Sequence, residues 1–171
     1  MEPRRIYDYL TTARQPLFER IRPLGPAAYR QEFAVGPGSL AKVLTHMYIS
    51  EWYYIERIEG RRVPPYAEWP VRDEHPPGFA ELESLWNQQV QRTRATLDPQ
   101  RDWSAAVEYQ VTDDDGREIL VTTTAADVVT QLILHEVHHR SQALNMLRQL
   151  GAQGEDLDFN LLMYQRREVD Q

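Results

Sequence analysis

Four long segments of this chain repeat apolar residues at helical spacing, and this periodicity predicts a mostly helical fold. They cover roughly residues 4–24, 40–58, 79–97 and 125–150. The last has the clearest ends, because Thr124 and Asp127 have the spacing of a capping box and Gly151 follows the final apolar residue. Ser39 and Gly60 are the expected N-cap and C-terminal stop of the second segment. We therefore expect an all-α protein.

Two connections between these segments stand out. Residues 61–78 contain several prolines and no helical period, which predicts a long loop of the kind that often carries function. Apolar and polar residues alternate over residues 107–111 and again over 119–123, with turn residues at 113–116 between them. This pattern predicts a small β-hairpin before the last long helix. The alternative is an irregular excursion between two helices.

Composition limits the classes of protein and of site. We expect the 171 residues to form one domain, 1–171. The net charge of −7 argues against nucleic acid as a partner, since phosphate binding needs a clustered basic surface. No segment reaches the ~20 apolar residues of a membrane span, and no signal peptide is visible, so we expect no membrane association and a cytoplasmic location. The absence of cysteine restricts any metal to nitrogen and oxygen ligands.

The chemically distinctive stretch is His135-Glu136-Val137-His138-His139-Arg140. On a helix, His135 and His139 lie one turn apart on the same face, where both can bind one metal ion. His46, among the inward apolar residues of the second helix, is the best third ligand. His75 belongs to the proline-rich loop and is expected to be exposed, while His138 points away or lies next to the ligands. The alternative is that these are surface or hydrogen-bonded core histidines.

Two other metal sites are compatible with parts of this stretch. His135-Glu136-x-x-His139 satisfies the zinc protease pattern H-E-x-x-H, in which the glutamate activates water. However, Gln142 and Asn145 stand where the longer metzincin pattern asks for Gly and His. Glu136-x-x-His139 is also one Glu-x-x-His motif of a di-iron carboxylate bundle, but such a site needs a second copy and two further glutamates. We therefore favour the three-histidine site over both.

The chain resembles the DinB/YfiT-like superfamily, and the resemblance covers nearly its whole length. The residues that carry it are Tyr9-Leu10-x-x-Ala13-Arg14, Gly38-Ser39-Leu40, Leu44-Thr45-His46, Trp52, His135-x-x-His138-His139-Arg140-x-Gln142, Gly151 and Asp158-Phe159. The resemblance implies a four-helix bundle with long crossover connections, often a homodimer. It also implies a divalent metal, commonly zinc or nickel, held by His46, His135 and His139. One departure is Ser141, where the family usually has glycine.

Characterised members of this superfamily include metal-dependent hydrolases and S-transferases that use low-molecular-weight thiols such as bacillithiol or mycothiol. The resemblance therefore implies a metal-dependent enzyme with a small-molecule substrate and, for a transferase, a thiol cosubstrate. A non-catalytic metal- or ligand-binding stress-associated protein is the alternative. His138, Arg140 and Gln142 are candidates for the pocket or for orienting ligands, although Arg140 could form a surface salt bridge and Gln142 a helix-packing amide. Glu51 and Glu136 are possible general bases, but most helical glutamates are solvated, and their roles stay open.

Overall fold

The computed structural model of the chain describes residues 2–112 and 115–168. These residues form six α-helices and one two-stranded antiparallel hairpin. In chain order the elements are α1 (Pro3–Ile21), α2 (Pro26–Tyr29), α3 (Leu40–Ile58), α4 (Phe79–Thr96), β1 (Ala106–Thr112), β2 (Glu118–Thr124), α5 (Ala125–Gln149) and α6 (Phe159–Met163). The mostly helical prediction is confirmed, as is the hairpin that precedes the last long helix.

Local side-chain chemistry sets the helix ends. The Ser39 hydroxyl accepts from the Lys42 amide at the start of α3, and Thr124 and Asp127 form both halves of a capping box at the start of α5. Gly60 and Gly151, just beyond α3 and α5, have φ of +69° and +77°, as expected for helix-terminating glycines. The first helix differs from the prediction: it ends at Ile21, and the short α2 follows.

The hairpin pairs β1 with β2 in a register that places Tyr109 opposite Val121. The predicted turn spans residues 113–116, of which 113 and 114 lie outside the described residues. Gly116 has a φ of +78°, which suits a turn position. The hairpin leads directly into α5, and β1 also contacts α3.

The four long helices pack around a shared apolar interior. Helix α3 packs against α5 and α4, while α1 packs against the same two helices and against α6. Fully buried side chains at these contacts come from all four helices: Leu10, Leu17, Leu44, Ile55, Leu82, Trp86, Leu132 and Met146. In the described part of the chain, no helix has the length and apolar character needed to cross a membrane.

Candidate metal centre

The contact between α3 and α5 brings three histidine rings together. His46, His135 and His139 each offer a ring nitrogen, and these three nitrogens lie within 4.8 Å of one another. The Nε2 atoms of His46 and His135 are 3.1 Å apart. All three side chains are partly buried, whereas His75 is exposed in the loop and is not part of this group. The three histidines singled out from the sequence are thus the ones that the fold brings together.

Burial favours the neutral, metal-binding form of two of these imidazoles, those of His135 and His139. Loss of solvent, with smaller contributions from the neighbouring histidines, lowers the pKa of His135 to about 4. Burial also lowers the pKa of His139, against the opposing effect of the hydrogen bond that its Nδ1 donates to Gln142. Neutral imidazoles offer a lone pair to a cation. Ligands bound to zinc at 2.0–2.1 Å in a tetrahedral arrangement are about 3.3 Å apart, close to the observed His46–His135 separation. The group could therefore hold a divalent metal ion.

The Nδ1 atoms of two of these rings lie beside oxygen atoms. His46 Nδ1 lies 3.1 Å from Asp73 Oδ2, and His139 Nδ1 lies 2.8 Å from Gln142 Oε1. A carboxylate or amide oxygen only accepts, so each Nδ1 carries the proton and donates. In the neutral form of such a ring, Nε2 has no proton and is available to a metal. Oxygen partners of this kind fix the orientation of metal-binding histidines in general.

Gln142 links the site to two further residues. Its Nε2 donates to Nε2 of His138 across 3.0 Å, so the exposed His138 lies beside His139 and contacts the group through Gln142. A Cβ atom on Gly36 would lie 2.3 Å from Oε1 of Gln142, and Gly36 has a φ of +52°. The absence of a side chain at Gly36 therefore leaves the space that Gln142 occupies.

The proline-rich loop supplies the partner of His46. Tyr66, in a short 3₁₀ turn, donates to Oδ1 of Asp73, while Oδ2 of the same carboxylate faces His46. The sequence predicted a functional loop here but did not single out Asp73. Its only signal was a carboxylate in a long ordered loop, which does not distinguish Asp73 from the neighbouring acidic residues.

The two glutamates whose roles were open are both buried, contrary to the expectation that helical glutamates are solvated. Arg14 of α1 donates to Glu136 from Nε at 3.0 Å and from Nη2, and its Nη2 also donates to Glu51. Glu51 further accepts from Tyr7, Trp86 and Thr93. Exposure of the three ion-paired side chains is 3% or less.

This network changes the interpretation of the H-E-x-x-H letters. In a zinc protease the glutamate must face the metal to activate water. Here the Glu136 carboxylate is bound by the guanidinium of Arg14, on the side of α5 that packs against α1. The geometry therefore argues against the protease interpretation. Glu136 and Glu51 belong to the buried interior between the packed helices.

The side chain of Arg140, a candidate for the pocket, extends toward Tyr9 of α1. Its side chain is buried, its Nη2 donates to the Tyr9 hydroxyl, and its guanidinium lies 4.8 Å from the centre of that ring. Its Nη1 is 4.0 Å from Oε1 of Glu136, and Tyr9 in turn donates to the carbonyl oxygen of Leu157. Arg140 thus joins α5 to α1 and to the C-terminal segment, in place of the surface salt bridge that was its alternative role.

Comparison with known proteins shows which family the chain belongs to. The sequence profile described as the DinB family matches residues 2–169. Protein DinB of Bacillus subtilis (strain 168) is 24% identical to this chain over 163 residues, which cover 94% of this chain and 92% of the relative. Because the family match spans nearly the whole sequence, the chain belongs to the DinB family.

Proposed function

We propose that this protein is a metal-dependent enzyme of the DinB family whose divalent ion, zinc or nickel, is held by His46, His135 and His139. We further propose that its four long helices form the family's four-helix bundle, with α3 and α5 carrying the ligands. The observation that supports the site is the convergence of three imidazoles from two packed helices, with burial holding His135 in its neutral form. The Nδ1 atoms of His46 and His139 are hydrogen-bonded to oxygen acceptors, which leaves their Nε2 atoms for the metal.

The proposed reaction is transfer of a low-molecular-weight thiol to an electrophilic small molecule, or hydrolysis. When bound, a divalent ion with an open position lowers the pKa of a water or thiol, so that a nucleophile exists near neutral pH. The chain's own residues orient two of the ligand rings, through the bonds of His46 to Asp73 and of His139 to Gln142. Burial favours the unprotonated form of His135 and His139. The thiol would come from the cosubstrate, consistent with a chain that has no cysteine.

Replacing the ligands one at a time tests the site. The variants His46→Ala, His135→Ala and His139→Ala should each lose most of the metal that the purified parent protein retains. His75→Ala is the matched control and should keep it, since its side chain is exposed in the loop. Elemental analysis of the purified proteins measures the outcome. Parent-like metal content in His46→Ala would contradict a site shared by α3 and α5.

Catalysis needs a separate assay on the metal-loaded protein. Loss of an electrophilic substrate in the presence of bacillithiol, mycothiol or glutathione, or cleavage of ester and amide substrates, is expected in the parent and absent in His139→Ala. No turnover with any of these by a fully loaded parent protein would contradict the enzymatic half of the proposal. In that case a non-catalytic metal-binding role would account for the site.

A further inference from the structure

Asp73 uses each of its two carboxylate oxygens for a different partner. Oδ2 accepts from Nδ1 of His46 at 3.1 Å, and Oδ1 accepts from the hydroxyl of Tyr66. The side chains of Asp73 and His46 are both about one third exposed, so this contact is partly shielded from water. A chain of hydrogen bonds therefore runs from the loop to a histidine of the candidate metal centre.

The loop that carries Asp73 is fixed in place by aromatic packing. The Trp69 ring lies 5.0 Å from the Tyr66 ring and 5.3 Å from that of Trp52 on α3, measured between ring centres. The indole N–H of Trp69 donates to the carbonyl oxygen of Pro64 across 2.9 Å. Tyr66 and Trp69 also pack against the apolar interior formed by the long helices. Asp73 is thus presented to His46 by a segment that is itself braced against α3.

We propose that Asp73 is a positioning residue that fixes the tautomer and ring orientation of His46, and that Tyr66 holds Asp73 in place. Through the hydrogen bonds from Tyr66 to Asp73 and from His46 to Asp73, the loop of residues 61–78 sets the metal affinity of the site. The inference rests on the proposed function, because it takes His46 as a metal ligand. Removing such an outer partner of a metal-binding histidine typically costs roughly 10- to 100-fold in metal affinity.

The geometry argues against Asp73 as a ligand in its own right. Nδ1 and Nε2 lie on different sides of an imidazole ring, and Asp73 bonds the nitrogen that faces away from His135. The remaining alternative is that the Asp73 carboxylate only holds the loop against α3. Such a residue would affect folding without changing how tightly the histidines bind metal, and the experiment must separate these two effects.

The test measures Zn²⁺ affinity of the full chain, stripped with a chelator and titrated in competition with a chromophoric chelator. Asp73→Ala should bind Zn²⁺ roughly 10- to 100-fold more weakly than the parent. Asp73→Asn, which keeps an acceptor oxygen but no charge, should fall between the two. Tyr66→Phe retains the ring that packs against Trp69 and should show a smaller loss in the same direction. Glu68→Gln, an exposed carboxylate of the same loop, is the matched control and should bind like the parent.

Two additional measurements make the result decisive. The absorption spectrum of the Co²⁺-loaded protein should change in Asp73→Ala, because a reoriented His46 alters the ligand field, and should stay constant in Glu68→Gln. Parent-like Zn²⁺ affinity and Co²⁺ spectrum in both Asp73→Asn and Tyr66→Phe would overturn the inference, even if Asp73→Ala failed to fold. If His46→Ala also bound Zn²⁺ like the parent, the proposed site itself would have failed. Loss of binding in His46→Ala alone would overturn only the role of Asp73.

Discussion

Replacing Glu136 with alanine should destabilise the fold strongly, although this residue is the glutamate of an H-E-x-x-H sequence. Its carboxylate is 3% exposed and accepts two hydrogen bonds from Arg14, one of them at 3.0 Å from Nε. The alanine variant leaves the buried Arg14 to share Glu51 with that residue's other donors. Breaking a buried ion pair from one side costs about 3–5 kcal/mol. This is a large part of the ~5–15 kcal/mol that stabilises a typical domain.

The loss of stability in Glu136→Ala can be measured as a shift in the urea concentration at which half of the protein is unfolded. With a slope of about 2 kcal/mol per molar urea, a loss of about 4 kcal/mol lowers the unfolding midpoint by about 2 M. Trp86 is a suitable fluorescent reporter, because its indole N–H donates to Glu51 at 3.1 Å and its ring lies 4.6 Å from the Arg14 guanidinium. Circular dichroism at a helix-sensitive wavelength provides a second, independent readout of the same transition.

Two companion variants calibrate the effect of losing this buried pair. Glu83→Ala removes a glutamate paired with Arg22 on the surface, where both side chains are partly exposed, and should lower the midpoint far less than Glu136→Ala does. Glu136→Gln keeps one acceptor for Arg14 and should cost about 2 kcal/mol, which leaves a folded protein for metal titration. Its Zn²⁺ affinity should equal that of the parent.

Two results would refute this reasoning. Equal urea midpoints for Glu136→Ala and the parent would mean that the buried pair with Arg14 does not stabilise the helix interior. A loss of Zn²⁺ affinity in Glu136→Gln at an unchanged midpoint would mean that the carboxylate acts at the metal centre and not on Arg14. The first result concerns packing and the second concerns chemistry, so the two are distinguishable.

Two more predictions concern the capping box and the turn beside Gln142. Hydrogen bonds from Thr124 lower the pKa of Asp127, so the unfolded chain binds more protons below about pH 4. The stabilisation that Asp127 provides should therefore be complete above this pH and be lost as pH falls through the native pKa. The urea midpoints of the parent and of Asp127→Asn should converge on acidification. A difference between these midpoints that does not change with pH would contradict this prediction. Gly36→Ala should cost about 1–2 kcal/mol, because the φ of +52° strains an L-residue. It should also weaken Zn²⁺ binding by moving Gln142 away from His139, and Gly25→Ala, which meets no atom within 4 Å, is its control.

The parts of the fold that the sequence predicted depend on local chemistry. The Thr124 and Asp127 capping box, the Ser39 cap and the terminal glycines act within a few residues, so their pattern is visible in the chain. The same holds for His135 and His139, whose shared face follows from helical spacing alone. His46 was found because a histidine among inward apolar residues is unusual.

Long-range partners were not predictable in this way. Asp73 lies in a loop without periodicity, and only the packing of Tyr66 and Trp69 brings it to His46. The burial of Glu136 depends on Arg14, which is separated from it by 122 positions in the chain. Arg140 likewise takes its place from Tyr9, at a separation of 131 positions. A charged residue on a helix is expected to be solvated unless its partner is known, and the sequence does not identify that partner.

The arrangement of α5 explains how one short stretch serves both the metal site and the interior. His135 and His139 form one i, i+4 pair, while Glu136 and Arg140 form another, rotated by about 100° around the helix axis. The first pair faces α3 and His46, and the second faces α1, where Arg14 and Tyr9 bind it. The glutamate of H-E-x-x-H is therefore next to a histidine in the sequence and yet faces a different helix. Its position requires a basic partner on α1, so substituting Arg14 with leucine should destabilise the fold as Glu136→Ala does, and the two substitutions combined should cost less than their sum.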